Sequence, residues 1–161
     1  MPIQGRIGKK FTELTGLYAV ATQMSLLCWH PFPTIGNFPD IDLIAYNLET
    51  NKRVALQIKS GYGAWGIGTA NRVDSEWVVS GIKKADAYVF VDTRKEQLSE
   101  ILFYVVPTES LIKIVKKHAS LKFANKGTDK PQPYWINSVA ESHRDEWKEV
   151  KEFKDRWDLL S

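Results

Sequence analysis

Two stretches of alternating polarity constrain this chain most. They are "DIDLIAY" at residues 40–46 and "RVALQIK" at 53–59, separated by the polar connection "NLETNK". Each is too short for a typical helix, and a six-residue polar link with two asparagines suits a β-hairpin. A two-residue side-chain period places Asp40, Asp42, Ile44 and Tyr46 on one face of the first strand. On the second strand Ala55, Gln57 and Lys59 take one face while Val54, Leu56 and Ile58 take the other. Pairing Tyr46 with Arg53 sets Asp42 opposite Gln57 and Asp40 opposite Lys59, and a register slip by two keeps all four on one face.

Around this hairpin the sequence predicts a helix over residues 7–24, with Ile7, Phe11, Leu14, Tyr18 and Ala21 as its apolar stripe and Leu17, Val20 and Met24 widening it. Glu13 falls between Val20 and Met24 in azimuth, at the edge of that apolar sector. "LLCWHPFP" reads as a short strand ending at its prolines, and Cys28 within it as a small buried hydrophobe. "GYGAWGIGTANRVD" reads as a glycine-rich loop, "SEWVVSGIKKA" (75–85) as a helix capped by Ser75, and "AYVFVD" (87–92) as a buried strand. "ILFYVVP" (101–107) is a further strand, followed by a helix containing Leu111, Ile114 and Val115. Residues 125–133 form the best candidate for a mobile loop, and the tail from Val139 is an amphipathic helix with Trp147, Val150 and Trp157 on its apolar side. The order predicts an α/β domain around a mixed sheet.

At 161 residues one domain spanning 1–161 is expected, with a core of about 5–120 and a C-terminal extension of about 121–161. No apolar run approaches the ~20 residues of a membrane span, and "MPIQGRIGKK" lacks the apolar region of a secretory signal, so a cytoplasmic protein is expected. One cysteine excludes an internal disulfide and a cysteine-based zinc cluster. The net charge of +3 is unevenly spread: residues 113–130 carry six lysines against Asp129 alone, a distribution that suits phosphate contact or a solvated face.

The chemistry lies on the hairpin. Two carboxylates, an amide oxygen and an ammonium on one sheet face are costly to bury without a ligand. Magnesium resolves that cost: it is a hard cation that takes oxygen ligands, commonly one or two carboxylates together with substrate phosphates. Asp42 with Gln57 can hold such an ion, Glu13 can reach it from the helix, and Lys59 can orient a water and stabilise developing negative charge.

"PDIDLIAYN" followed by "QIKS", with Glu13 on a preceding helix, resembles the PD-(D/E)XK nuclease superfamily, the restriction-endonuclease-like fold. The resemblance covers roughly residues 5–92 and implies an αβββαβ core with a central mixed sheet flanked by helices. It implies a magnesium- or manganese-dependent nuclease acting on DNA, with Asp42 as metal ligand, Asp40 as the alternative, and Gln57, Lys59 and Glu13 completing the site. The sequence leaves the oligomeric state open; cutting both strands of a duplex calls for two sites, which a homodimer would supply. Gln57 departs from the usual carboxylate; a neutral ligand gives up one charge of attraction for the metal. The alternative on the same fold is a non-catalytic nucleic-acid- or protein-binding module.

Lys9, Lys10, Lys113 and Lys117 are candidate phosphate contacts, and Tyr62 and Trp65 are candidates for base stacking or for packing. "GYGAWG" matches the dinucleotide fingerprint G-x-G-x-x-G, but it follows the second arm of a hairpin and no apolar helix opens behind it. His30, His118 and His143 lie apart, without metal-ligand spacing.

Overall fold

A computed structural model describes residues 8–34, 40–94, 97–124, 127, 130–140 and 143–161. Ile7, Pro39 and much of the expected mobile loop (125, 126, 128 and 129) lie outside these. The elements run α1 (Lys9–Leu26), β1 (His30–Pro33), β2 (Leu43–Asn47), β3 (Lys52–Gly61), β4 (Ala64–Val73), β5 (Glu76–Ser80), β6 (Ala87–Asp92), β7 (Leu102–Pro107), α2 (Thr108–Phe123), β8 (Gln132–Asn137) and α3 (Arg144–Lys151), with a final 3-10 turn at Trp157–Leu160. A five-stranded mixed sheet has the order β1-β2-β3-β6-β7, and β5-β4-β8 form a second, antiparallel sheet. In the five-stranded sheet β3 and β6 are parallel while β1-β2, β2-β3 and β6-β7 are antiparallel.

The β2-β3 hairpin has the register expected from its sequence, with Tyr46 opposite Arg53. Asn47 closes its turn: its Oδ1 accepts from the backbone N–H groups of Glu49 and Thr50, both at 3.0 Å, an Asx turn that replaces backbone pairing. The β6 strand is buried at every position, as its uninterrupted apolar sequence predicts. Its alternate residues feed two cores. Val89 and Val91 pack with Val20 and Met24 of α1, whereas Tyr88 and Phe90 pack with Leu111, Ile114 and Val115 of α2. The two helices therefore cover opposite faces of the sheet.

Four expectations are corrected. The segment 75–85 is not a helix: Asp74 and Ser75 both have positive φ (47° and 71°) and join Val73 to Glu76 as a two-residue hairpin turn, the geometry of type I′. The glycine-rich stretch is strand β4. Its glycines serve close approach, since a Cβ on Gly68 would lie 2.1 Å from the carbonyl oxygen of Ser80. In α1 the covered face is Thr12, Gly16, Val20 and Met24, while Phe11, Leu14 and Tyr18 are exposed. The cause is Gly16: a Cβ there would sit 1.6 Å from Ser60 Oγ, so the helix reaches the sheet only along its small residues. Cys28 is exposed and holds φ 63° in the left-handed turn that ends α1, where Trp29 N–H donates to Met24 O at 3.0 Å, the long bond of a Schellman motif.

The tail splits. Trp147 and Val150 join the α2-side core and Trp157 the α1-side core. Strand β8, which begins inside the segment 125–133 expected to be a mobile loop, pairs with β4 across a bulge between Gly66 and Gly68. No helix among the described residues is long and apolar enough to cross a membrane.

Candidate active site

β3 is twice as long as β2, so from Gln57 onward its outer edge runs beyond its neighbour. Asp42, one residue before β2, fills that gap: its backbone N–H donates to Leu56 O at 2.9 Å, and its Oδ2 accepts the backbone N–H of Ile58 at 2.7 Å. The amide nitrogen of Gln57 donates to the same Oδ2. One carboxylate oxygen thus replaces the missing strand and fixes both side chains, while among the described residues no hydrogen bond engages Oδ1. Lys59 follows Gln57 on the same face.

α1 closes the other wall. Because its covered face is Thr12-Gly16-Val20, Glu13 is carried toward the sheet, and Lys9, Lys10, Glu13, Asp42, Gln57 and Lys59 all line one cleft of about 460 Å³. Glu13 is more than half exposed and lies 3.7 Å from Lys9 Nζ. Its charge raises the Asp42 pKa and supports protonation of Lys59.

The electrostatics are those of charges held partly out of water. Burial pushes the Asp42 carboxyl above its ordinary value, against the opposing pull of the Ile58 N–H and the Lys59 charge. Burial pushes the Lys59 ammonium below its ordinary value, with Asp42 opposing and Lys83 adding to the shift. Among the described residues Lys59 forms no ion pair within 4.0 Å, whereas Lys122, on the far side of the sheet and also held largely out of water, pairs with Glu146 at 2.6 Å.

The remaining candidates scatter. Asp40 has φ 76° and leaves the strand; its carboxylate pairs with Lys83 Nζ at 2.7 Å instead of facing Lys59, and it does not line the cleft. Lys113 and Lys117 are on α2, on the opposite face of the sheet, where Lys117 binds Glu149 at 2.7 Å. Tyr62 is exposed beyond the end of β3 and outside the cleft. Trp65 reaches the wall of the cleft but is a core residue: it is 2% exposed, its Nε1 donates to Val91 O at 3.2 Å, and it stacks on Trp147. The tryptophan exposed at the cleft is Trp135, whose ring lies over Gly66 and which sequence reasoning did not single out. Its signal was the alternation in "YWIN", where Tyr134 and Ile136 point inward.

No protein-family model matches the chain and no curated protein matches it in sequence. Among solved structures it is similar to a bacterial homing endonuclease, I-Ssp6803I, with a TM-score of 0.60 at 16% identity, over 96% of this chain and 93% of that one. The fold is consistent with the restriction-endonuclease-like class. At this identity the likeness concerns the fold, and the chemistry rests on the cleft itself. There the oxygen donors are Asp42 Oδ1, the Gln57 amide oxygen and the Glu13 carboxylate, a hard set that suits magnesium. With glutamine at the second position, no group of three or more histidine, cysteine or acidic side chains gathers among the described residues.

Proposed function

We propose that this chain is a metal-dependent nuclease that hydrolyses phosphodiester bonds in DNA, acting as an endonuclease. The observation that carries the reading is Lys59: a half-buried ammonium without an ion pair among the described residues, beside Asp42 and Gln57 in a cleft whose rim holds Lys9 and Lys10. A cation kept in that state is poised for an anion from outside the chain, and a phosphate supplies it.

In this reading Asp42 and Gln57, with Glu13 from α1, hold a magnesium or manganese ion, which supplies Lewis-acid charge neutralisation and a water of lowered pKa. Lys59 donates to a nonbridging phosphate oxygen and orients the attacking water, and its charge meets the negative charge that develops on the phosphate. Lys9 and Lys10 hold the flanking backbone, and Trp135 offers a face at the lip of the cleft on which a base can stack. Incubation of the purified chain with plasmid, single-stranded and branched DNA, in magnesium, manganese or chelator, tests the reading. Lys59→Ala is expected to lower cleavage by ~10²-fold or more without unfolding the protein. Cleavage by that variant at the wild-type rate rejects the assignment.

The neutral Gln57 and the lack of a third acid among the described residues favour a second reading, a nucleic-acid- or protein-binding module without catalysis. Calorimetric titration with magnesium separates the two: a nuclease loses its ion with Asp42→Asn, whereas a binding module has no Asp42-dependent ion to lose.

A further inference from the structure

Helix α1 is apolar on two sides and, among the described residues, covered on one. Between Phe11 and Cys28 its only charged residue is Glu13, which turns to the cleft. The side away from the sheet carries Phe11, Leu14, Thr15, Tyr18, Thr22 and Ser25, an uncharged strip along four turns of helix. Phe11 is 67% exposed and Tyr18 61%. With about 200 Å² per aromatic side chain, these two expose about 250 Å² of largely apolar surface, to which Leu14 adds, roughly a third or more of the ~800 Å² that each partner buries in a stable interface. A helix that is hydrophobic all round is ordinarily covered all round.

Two details name the occupant. The hydroxyls in the strip are already satisfied by their own helix: Thr15 donates to Phe11 O at 2.8 Å and Ser25 to Ala21 O at 3.0 Å, so covering them leaves no orphan donor. The strip is also self-complementary in size. An antiparallel copy related by a two-fold axis at Tyr18 brings Phe11 level with Ser25 and Leu14 level with Thr22, large against small on either side, with the two Tyr18 rings meeting at the centre. Lacking any charge, the strip has nothing to offer a phosphate backbone or a charged partner surface.

We propose that this strip is a self-association surface, on which α1 of a second copy of this chain packs antiparallel across a two-fold axis near Tyr18. Leu14 belongs to both the strip and the cleft wall, so the contact sets the two clefts of the pair on either flank of the joined helices. The inference does not depend on the nuclease reading.

Sedimentation of the purified chain over a range of concentrations tests it. The wild type is expected to dimerise, and Tyr18→Glu, which places two like charges at the axis, is expected to weaken the dimer by roughly 30-fold or more, the scale of a central aromatic hot spot. The far-UV circular dichroism should be unaltered because Tyr18 is exposed in the monomer. In a Cys28→Ser background, Tyr18→Cys is expected to form a disulfide-linked dimer under mild oxidation, whereas Lys116→Cys on α2 stays monomeric. The cross-link reading stands even if the glutamate variant folds poorly. A wild type that remains monomeric throughout, a dimer indifferent to Tyr18→Glu, or a Tyr18→Cys variant that links no faster than the Lys116→Cys control overturns the proposal.

Discussion

Asp42 and Lys59 each carry a charge that their surroundings resist. The folded pKa of Asp42 is raised, so its contribution to stability is fully present below the unfolded value of 3.8 and is lost as pH rises through the folded value; at neutral pH the ionised carboxylate is a burden. For Lys59 the folded pKa is lowered, and the ammonium is likewise a burden below it. Removing either charge should therefore stabilise the fold while removing the site. Asp42→Asn keeps an acceptor for the Ile58 N–H, and Lys59→Met keeps the apolar stem. Each is expected to raise the melting temperature at pH 7, by about 2–4 °C for every kcal/mol recovered. Differential scanning fluorimetry reads the change, and a lower melting temperature for both variants contradicts the account. Gly16 shows the opposite sensitivity. The 1.6 Å approach to Ser60 Oγ leaves no room for a methyl group, and Gly16→Ala must lift α1 from β3. We expect a loss of about 1–3 kcal/mol by denaturant titration, despite the better helix propensity of alanine.

The elements that sequence made legible are those whose pattern and environment agree. Residues 53–59 alternate because Val54, Leu56 and Ile58 meet α1 while Gln57 and Lys59 face the cleft, and 87–92 is unbroken because both faces are covered. This same agreement made Asp42, Gln57 and Lys59 findable as a set. Where bulk and burial part company the reading failed. In α1 the largest side chains face outward, since a glycine contact sets the approach, and no hydrophobicity count weighs Thr12 and Gly16 above Phe11 and Tyr18. In 61–74 the glycines suggested a loop, yet Gly66 and Gly68 lie in a strand whose neighbours press on its backbone, and the turn is made by Asp74 and Ser75, a pair less diagnostic than Asn-Gly. That turn yields a prediction at the scale of the hairpin. Because both residues already hold positive φ, Asp74→Asn with Ser75→Gly replaces two strained positions by residues suited to type I′ geometry. A gain of about 0.5–1 kcal/mol is expected in chemical denaturation, and a destabilised double variant would show that the side chains matter more than the backbone.

For the molecule as a whole, the segment after β8 holds the two cores together, although the sequence resemblance to a nuclease fold left it without a role. β7 ends the five-stranded sheet, and an unpaired edge invites association with other chains. The tail covers it: Val105 N–H donates to Phe153 O at 2.9 Å and Asp155 N–H to Phe103 O at 3.0 Å, with a bridge between Tyr104 and Lys154. Before this crossing, Trp147 lies against Trp65 and Tyr104 in one core; after it, Trp157 packs edge-on against Phe103 in the other. α3 is in turn pinned by the buried Glu146, which accepts from Tyr134 OH and pairs with Lys122 at 2.6 Å. Ending the chain at Lys151 removes the edge cover and Trp157 together while leaving the candidate active site untouched. The shortened protein is expected to melt at a lower temperature and to scatter light on heating, because β7 then presents free backbone groups along an apolar strand. Restoring Phe153–Asp155 without Trp157 separates the two contributions: it should suppress the scattering while recovering only part of the melting temperature. A shortened chain that stays clear and melts like the full-length protein would mean that β7 needs no cover and that the tail has some other purpose.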